Sequence, residues 1–453
     1  MTAALAFAIV SLAAARSDGD GKTVVAVIAG REIEADRFAR FVLDEKEHDG
    51  AGAEALDQLV QERLVDHEAR RRGVRVADAD VTARLTELDR GLREQSGGKS
   101  GLDEQLAAMK VDRAAFQALL KKSIACERMM AADYALPAGR PVPPEKQSLW
   151  FQELRLRDGV RTADLPEGVA AEVGGETIGR TEWGLKLFQT IGTQESDKLF
   201  DEFVGVELLL AEGKTLGLEV TAERIAREIE ERSQLLRDKL ASEGLKSDGV
   251  DYRSTLKARG EELDVVTRTD RFRAEILLKD LARARFGQDG FRAFFEERRA
   301  EFDRAFGRRV RLSTIFLKAA PQKSAKVLRT WGEASGELDL LKRRLASGSA
   351  PLPETFASLA RLRSEDESAI RGGDLGFLSL AELEKRSLAT TLLDQAQGEL
   401  VGPVVGTEGV HLLLVTEKRG ASPFDEIVGE VEKSARRELL KRLRADKKVE
   451  RRI

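Results

Sequence analysis

The chain has 453 residues, more than one ordinary core accommodates, so two to four domains are expected. Charged residues make up 34% and aromatics only 5%, which points to many solvent-facing helices and excludes one large aromatic-rich interior. The formal charge of -4 offers no global argument for nucleic acid, and the single cysteine, Cys126, excludes an internal disulfide while leaving the compartment open.

Residues 2–15, "TAALAFAIVSLAAA", are uncharged and apolar, and Arg16 with the polar "SDGDG" follows. The run is too short to cross a bilayer comfortably and has the length of a signal peptide's apolar core, although a basic n-region is missing. Residues 1–20 are read as an export signal, with a short membrane anchor or a tail on a cytosolic protein as the alternatives. No other stretch is long and apolar enough to span, so membrane attachment is left to an uncleaved N-terminal segment alone.

An internal repeat organises the first 305 residues. "VAVIAGREIEADRF" (25–38) lies over "AAEVGGETIGRTEW" (170–183), aligning Gly30 with Gly175 and Ile33 with Ile178. Each reads as two apolar strands around a glycine turn, then a helix. "RLVDHEARRRGVRV" then lies over "ELLLAEGKTLGLEV", aligning Gly73 with Gly217 as helix stops ahead of the N-cap candidates Asp78 and Thr221. The next helices carry apolar stripes, Val81, Leu85, Leu88 and Leu92 in one, Ile225, Ile229, Leu236 and Leu240 in the other. "LAAMKVDRAAF" finally lies over "LKARGEELDVV", and the two copies are assigned to 24–136 and 167–305.

Between the copies, residues 137–166 hold five of the ten prolines, Pro137, Pro141, Pro143, Pro144 and Pro166. That density reads as a semi-rigid linker without regular helix. Within it "SLWFQELRLRD" pairs with "RAFFEERRAEF" of the second copy, Trp150 over Phe294 and Phe151 over Phe295, so each copy closes on an aromatic-bearing helix.

The hairpin, the long helix, the "G(V/L)xV" step and the late helix resemble the N-terminal chaperone domain of SurA-type and PrsA-type secretion foldases. Counting both copies, the resemblance covers about two-thirds of the chain. It implies a surface that holds extended, apolar segments of unfolded proteins. A generic helical domain without that role is the alternative.

From 309 the pattern changes to an alternating strand, "RRVRLSTIFLKAA", then a helical stretch, then "PETFASLARLRSEDESAIRGGDLGFLSL" and "GELVGPVVGTEGVHLLLVTEKRG". These ordered motifs, over 308–420, resemble a parvulin-type peptidyl-prolyl cis-trans isomerase. The glycines of "GGDLGF" do not form a phosphate cradle, which needs a Lys-Ser/Thr pair opening a helix. The resemblance implies instead that Gly372 and Gly373 turn the chain tightly and that Phe377 enters the wall of an apolar cleft.

Rotation about an X-Pro bond must break amide conjugation, a barrier of roughly 18–20 kcal/mol, but needs no nucleophile and no cofactor. A site lowers the barrier by holding the proline ring in an apolar pocket and placing dipoles that fit the twisted amide. By resemblance the second family histidine is His411, and the acid is Asp366. The first histidine position is occupied by Thr314, the pocket phenylalanine by Leu388 and the aromatic before "GxH" by Glu408, while Leu383 keeps an apolar wall position. Threonine offers one hydroxyl in place of an imidazole relay, and leucine keeps grease while losing the flat ring face. The catalytic set is thus Thr314, Asp366 and His411, the substrate-binding set Phe377, Leu383 and Leu388, with no metal. His48 and His67 read as surface residues on charged stretches.

The tail, "PFDEIVGEVEKSARRELLKRLRADKKVERRI", reads as one helix with Ile427, Val431, Leu439, Leu440 and Leu443 on its apolar face; by resemblance residues 421–453 pack on the chaperone core. Its basic end from Lys433 reads as a solvated face rather than a lipid or nucleic-acid contact.

The expected fold class is α+β: mainly helical, duplicated SurA-N-like domains plus one small parvulin-like (FKBP-like) α/β domain. The expected function is a folding factor, periplasmic or otherwise exported, with an isomerase domain of reduced activity. Its partners would be unfolded or nascent exported proteins and proline-containing peptides. The alternatives are a non-catalytic holdase and an envelope scaffold that binds one folded partner.

Overall fold

The computed structural model describes residues 23–108, 111–137, 141–325, 327–348, 350–445 and 447–453, so the expected export segment at 1–20 lies outside the described residues. Two compact units divide the chain: one holds the chain up to Leu281 together with Leu439–Ile453, the other Ala282–Glu438.

The first unit starts with β1 (Val24–Ile28) and β2 (Arg31–Glu34), Ala26 opposite Ile33 and a bulge between Val24 and Ala26. Helices α1 (Ala35–Lys46), α2 (Gly50–Arg72), α3 (Asp78–Gln95), α4 (Leu102–Ala108), α5 (Arg113–Asp133) and α6 (Pro144–Arg157) follow. The second copy repeats the plan. β3 (Val169–Val173) and β4 (Glu176–Gly179) pair with Ala171 opposite Ile178 and a bulge between Val169 and Ala171, the same register as the first hairpin. Then come α7 (Arg180–Thr190), α8 (Thr193–Thr215), α9 (Ala222–Ser242), α10 (Tyr252–Ala258), α11 (Leu263–Val266) and α12 (Asp270–Glu297). Gly30 and Gly175 close the hairpin turns at φ 78° and 82°, where an L side chain is strained.

The two copies bury each other. Phe38 of α1 meets Phe188 of α7 edge-on at 4.8 Å between centroids, and Phe203 of α8 at 5.0 Å. The helices approach so closely that a Cβ on Gly184 would lie 2.5 Å from the Ala39 carbonyl oxygen. Around this aromatic centre runs a polar seam: Trp183 Nε1 donates to the Gly52 carbonyl (2.9 Å), Arg63 Nη2 to both oxygens of Glu182 (2.9 Å) and Lys186 Nζ to Glu62 (2.7 Å).

The proline-rich segment holds the expected aromatic-bearing helix, and the reading of it as a linker without regular helix fails. Pro144–Arg157 is a regular helix, because Pro144 stands in its first turn, where the missing N–H has no partner to lose, and no proline follows until Pro166. Trp150 and Leu154 are buried, and Trp150 Nε1 donates to Asp133 (2.7 Å). Arg157 joins Arg71 and Arg72 around the fully buried Glu68; the hydrogen bond from Arg71 first, then those from the other guanidinia, hold its carboxyl down at about 2 against its burial.

Capping and helix faces are legible with two exceptions. Gly73 ends α2 in the left-handed region, and Thr221 caps α9 by accepting from the Arg224 N–H. Asp78, expected as a cap, is the first helical residue; Ala77 takes the cap position and its N–H donates to Asp80 (3.0 Å). In α3, Val81 and Leu85 are buried with Phe116, Leu120 and Ile124 of α5. In α9 the stripe Ile225, Ile229, Leu236 and Leu240 stays half-buried, and Arg224, Glu228 and Ser233 are the buried residues. There Glu228 accepts from Arg232 (2.9 Å) and Lys279 (2.5 Å), while Arg224 pairs with Asp280 (3.0 Å): a charged ladder replaces the expected apolar seam.

The tail also departs from a single helix. Its helix runs Phe424–Ala445, and Val449–Arg451 then forms a strand on β1, Ala26 opposite Arg451 and Ile28 opposite Val449. Helix propensity is overridden because β1 leaves an open edge that the chain end reaches.

In the second unit a four-stranded antiparallel sheet runs in the order β6-β5-β8-β7, with β5 Arg309–Lys318, β6 Asp374–Leu378, β7 Leu400–Val405 and β8 Gly409–Arg419. Helices Trp331–Ser347 and Leu352–Arg363 cover one face, burying Ala334, Leu338, Phe356 and Ala360 against Ile315, Leu317, Leu412 and Leu414. The unit boundary at Leu281 falls inside the segment 167–305 expected as one domain. Phe286, Phe291, Phe294, Phe295, Phe302 and Phe424 pack ring to ring within the second unit, which gives residues from 282 onward an apolar centre of their own.

Replacing Gly184 by valine must separate α1 from α7. The expected cost is about 1–3 kcal/mol, read as a lower urea midpoint of the neighbouring Trp183 fluorescence; an unchanged midpoint would show that the helices do not touch there.

Candidate active site

Side chains along β5 and β8 alternate between the two sheet faces. Val310, Leu312, Thr314 and Phe316 share the face opposite the two covering helices, and His411, Leu413 and Val415 join them from β8. This places Thr314 Oγ1 3.1 Å from His411 Nδ1, with the Phe316 ring tilted against the imidazole at 4.6 Å. One hydroxyl and one imidazole therefore form a bonded pair beside an apolar wall. Motif order points to Thr314 and His411 together but not to Phe316, for which parity with Thr314 along the strand is the available signal.

Burial pushes the His411 imidazole down to about 4, partly opposed by the negative charge of Asp366 and reinforced by Arg386. At neutral pH the ring is uncharged, and Thr314 and His411 share one proton donor and one acceptor, with the direction set by the tautomer. Gly406 makes room for the ring: a Cβ there would stand 3.0 Å from His411 Nε2.

The segment leading to Asp366 is stitched to β5. The Phe316 N–H donates to Ser364 Oγ (3.0 Å), the Glu365 N–H to the Phe316 carbonyl (2.8 Å) and the Thr314 N–H to the Gly373 carbonyl (2.8 Å). Asp366 caps the short turn Glu367–Arg371, its carboxylate accepting from the Ser368 N–H (2.8 Å) and the Ser368 hydroxyl. Among the described residues its side-chain hydrogen bonds go to Ser368, so it acts on His411 through charge, not contact.

The double glycine is required by crowding as well as by conformation. Gly372 and Gly373 have φ 71° and 82°, and a Cβ on Gly373 would lie 2.2 Å from the Thr314 carbonyl oxygen. A side chain at 373 would displace the strand that carries Thr314.

Phe377 is not in the site. It pairs with Arg311, on the face opposite Thr314 and His411, and its ring lies under the Arg419 guanidinium at 3.8 Å. A one-residue step along a strand reverses the face, and Leu378, opposite Val310, takes the inward position. Leu383 and Leu388 do lie on the site face, in one cluster with Leu312, Leu378, Leu392, Leu393 and Leu413. They are 0% and 5% exposed, so they form a closed floor; Leu375, Leu380, Val401 and Val404 contribute the part-exposed apolar edge. Val404 pairs directly with His411.

The remaining histidines lie elsewhere. His48 is exposed, as expected; His67 is not a plain surface residue, since its Nδ1 lies 2.9 Å from the buried carboxylate of Asp158.

Comparison with known proteins agrees with this architecture. A model of the PPIC-type PPIase domain matches residues 315–417, and a model of the SurA-like N-terminal domain matches residues 1–130. One chain thus carries a stretch similar to a SurA-like N-terminal domain and a stretch similar to a PPIC-type, that is parvulin-type, isomerase domain. It is 38% identical over 86 residues to the chaperone SurA of Yersinia pestis bv. Antiqua (strain Antiqua), covering 19% of each chain. To the chaperone SurA of Albidiferax ferrireducens it is 35% identical over 112 residues, 24% of this chain and 21% of the relative. To the foldase protein PrsA of Geobacillus sp. (strain WCH70) the identity is 33% over 101 residues, 22% of this chain and 36% of the relative. The matched stretches span about a fifth to a third of these relatives.

The imidazole offers a direct check, because the chain contains only three histidines. Proton NMR should show one ring titrating near 4, absent in His411→Gln. The unfolded ring takes up a proton at an ordinary 6.5, so the native state loses stability as pH falls from there towards 4, by about 3 kcal/mol at most. A His411 midpoint at or above 6.5 would show the ring to be open to water.

Proposed function

We propose that the protein is an exported folding factor. Its two hairpin-and-helix copies, residues 24–136 and 167–305 with the returning tail, hold unfolded client segments, and its parvulin-type domain contributes weak prolyl isomerisation at Thr314, Asp366 and His411. The observation that carries this reading is the joining of a SurA-like N-terminal domain and a PPIC-type isomerase domain in one chain. Leu216, Leu235, Leu245 and Val265 stand about half or more in water, surface that a promiscuous binder of apolar segments would use. Among the described residues no helix is long and apolar enough to cross a membrane.

Catalysis here needs only a neutral, dipolar wall. The Thr314 hydroxyl and the uncharged His411 ring would orient the amide's carbonyl or nitrogen as conjugation breaks, while Leu375, Leu380, Val401 and Val404 exclude water from the proline ring. A second reading, a holdase without catalysis, is favoured by one feature: Leu383 and Leu388 are packed shut where a ring would enter.

A protease-coupled assay on a proline peptide separates the two. The native chain should show a small rate above background, and Thr314→His with Leu388→Phe should raise it roughly tenfold, the worth of one added hydrogen bond. No rate in a sample that still suppresses aggregation of a denatured protein leaves the holdase. A chain that ignores denatured proteins sinks both readings.

A further inference from the structure

We propose that the groove now filled by the C-terminal strand of the chain is a docking site for an extended, arginine-bearing client segment, which the tail occupies as a self-ligand. The inference rests on the client-binding reading and names one surface that would do the binding. The strand Val449–Arg451 has three residues, all exposed, and among the described residues its one strand neighbour is β1. At its ends the Ala29 N–H donates to the Lys448 carbonyl and the Arg452 N–H to the Val25 carbonyl, both at 2.9 Å. These are backbone contacts, which any extended chain can reproduce.

The side-chain subsite is specific. The Arg451 guanidinium lies 4.9 Å from the Phe200 ring centre and 5.3 Å from that of Phe188, and its Nη1 is 2.6 Å from Asp197 Oδ1. Two aromatic faces and a carboxylate make a receptor for a planar cation. Phe188 and Phe200 are buried in the aromatic centre that joins the two copies, so the receptor side belongs to the core while the ligand side is a short edge strand. Among the described residues the second hairpin differs: at the equivalent edge Arg161 bridges Glu172 by backbone bonds of 2.9 Å, and its guanidinium goes to the Asp164 carbonyl and Glu172.

A three-residue strand that buries little apolar surface opens at small cost, independently of the core beneath it. Being tethered, it competes at about millimolar effective concentration, so a segment in trans binds well only when the tail is displaced or absent.

The test compares the intact chain with one ending at Lys447, using a fluorescein-labelled peptide of residues 448–453 as probe. The truncated chain, with native circular dichroism, should bind it at least about tenfold more tightly than the intact chain. An Arg451→Ala peptide should bind roughly tenfold more weakly than the parent peptide, for loss of the cation contacts. A folded truncated chain that leaves the peptide unbound, or that binds both peptides alike, overturns the proposal. Should truncation prevent folding, hydrogen exchange on the intact chain decides: the Ala29 and Arg452 amides should exchange at least about tenfold faster than those of the β1–β2 pair, and equal rates overturn it. A dimer of the intact chain that dissolves on truncation assigns the groove to a second copy instead. Suppression of aggregation by the truncated chain without peptide binding sinks this inference and leaves the proposed function; peptide binding without suppression does the reverse.

Discussion

Neither helix that follows a hairpin can bury its aromatic face alone, and the first unit is organised by that constraint. Phe38 finds Phe188 and Phe203 only because α1 and α7 come within reach of backbone contact at Ala39 and Gly184. Once they meet, Arg63, Glu182, Lys186 and Glu62 line the margin; Arg63 and Glu182 pair at its exposed side, while the buried Lys186 needs a carboxylate such as Glu62 because burial penalises a lone charge. The tail strand and its arginine rest on rings of the same aromatic group.

In the second unit the equivalent constraint is the two-residue period of β5 and β8. It sends Ile315 and Leu317 to the covering helices and turns Thr314, Phe316 and His411 to the other face. A threonine at 314 changes the character of that face. Two imidazoles could relay a proton between them; a hydroxyl bonded to a ring that stays neutral down to about 4 offers an uncharged, dipolar pair. That suits bond rotation, which moves no proton, better than it suits any reaction needing a charged acid or base.

Much of this was legible. The hairpin repeat, the glycine stops at 73 and 217, the strand at 309–318 and the pairing of Thr314 with His411 follow from local pattern or motif order. Phe377 was misplaced because a motif fixes the position along a strand, whereas the face depends on the register with Arg311. The helix Pro144–Arg157 carries Trp150 and Phe151 as the match between the copies indicates; only the linker reading, which counts prolines without regard to their place in the turn, excluded it. The charged ladder of Arg224, Glu228 and Lys279 was hidden because an apolar stripe on the same helix satisfied the expected period.

By itself the sequence determined the kinds of element, their order and the chemistry available at the site, since these depend on neighbours in the chain. The tertiary structure decided which residues are covered: that Leu383 and Leu388 are buried beneath the site face, that Asp366 spends its carboxylate on Ser368, and that Val449–Arg451 becomes a strand on β1. Burial and strand edges are set by partners tens to hundreds of residues away, and no local period records them.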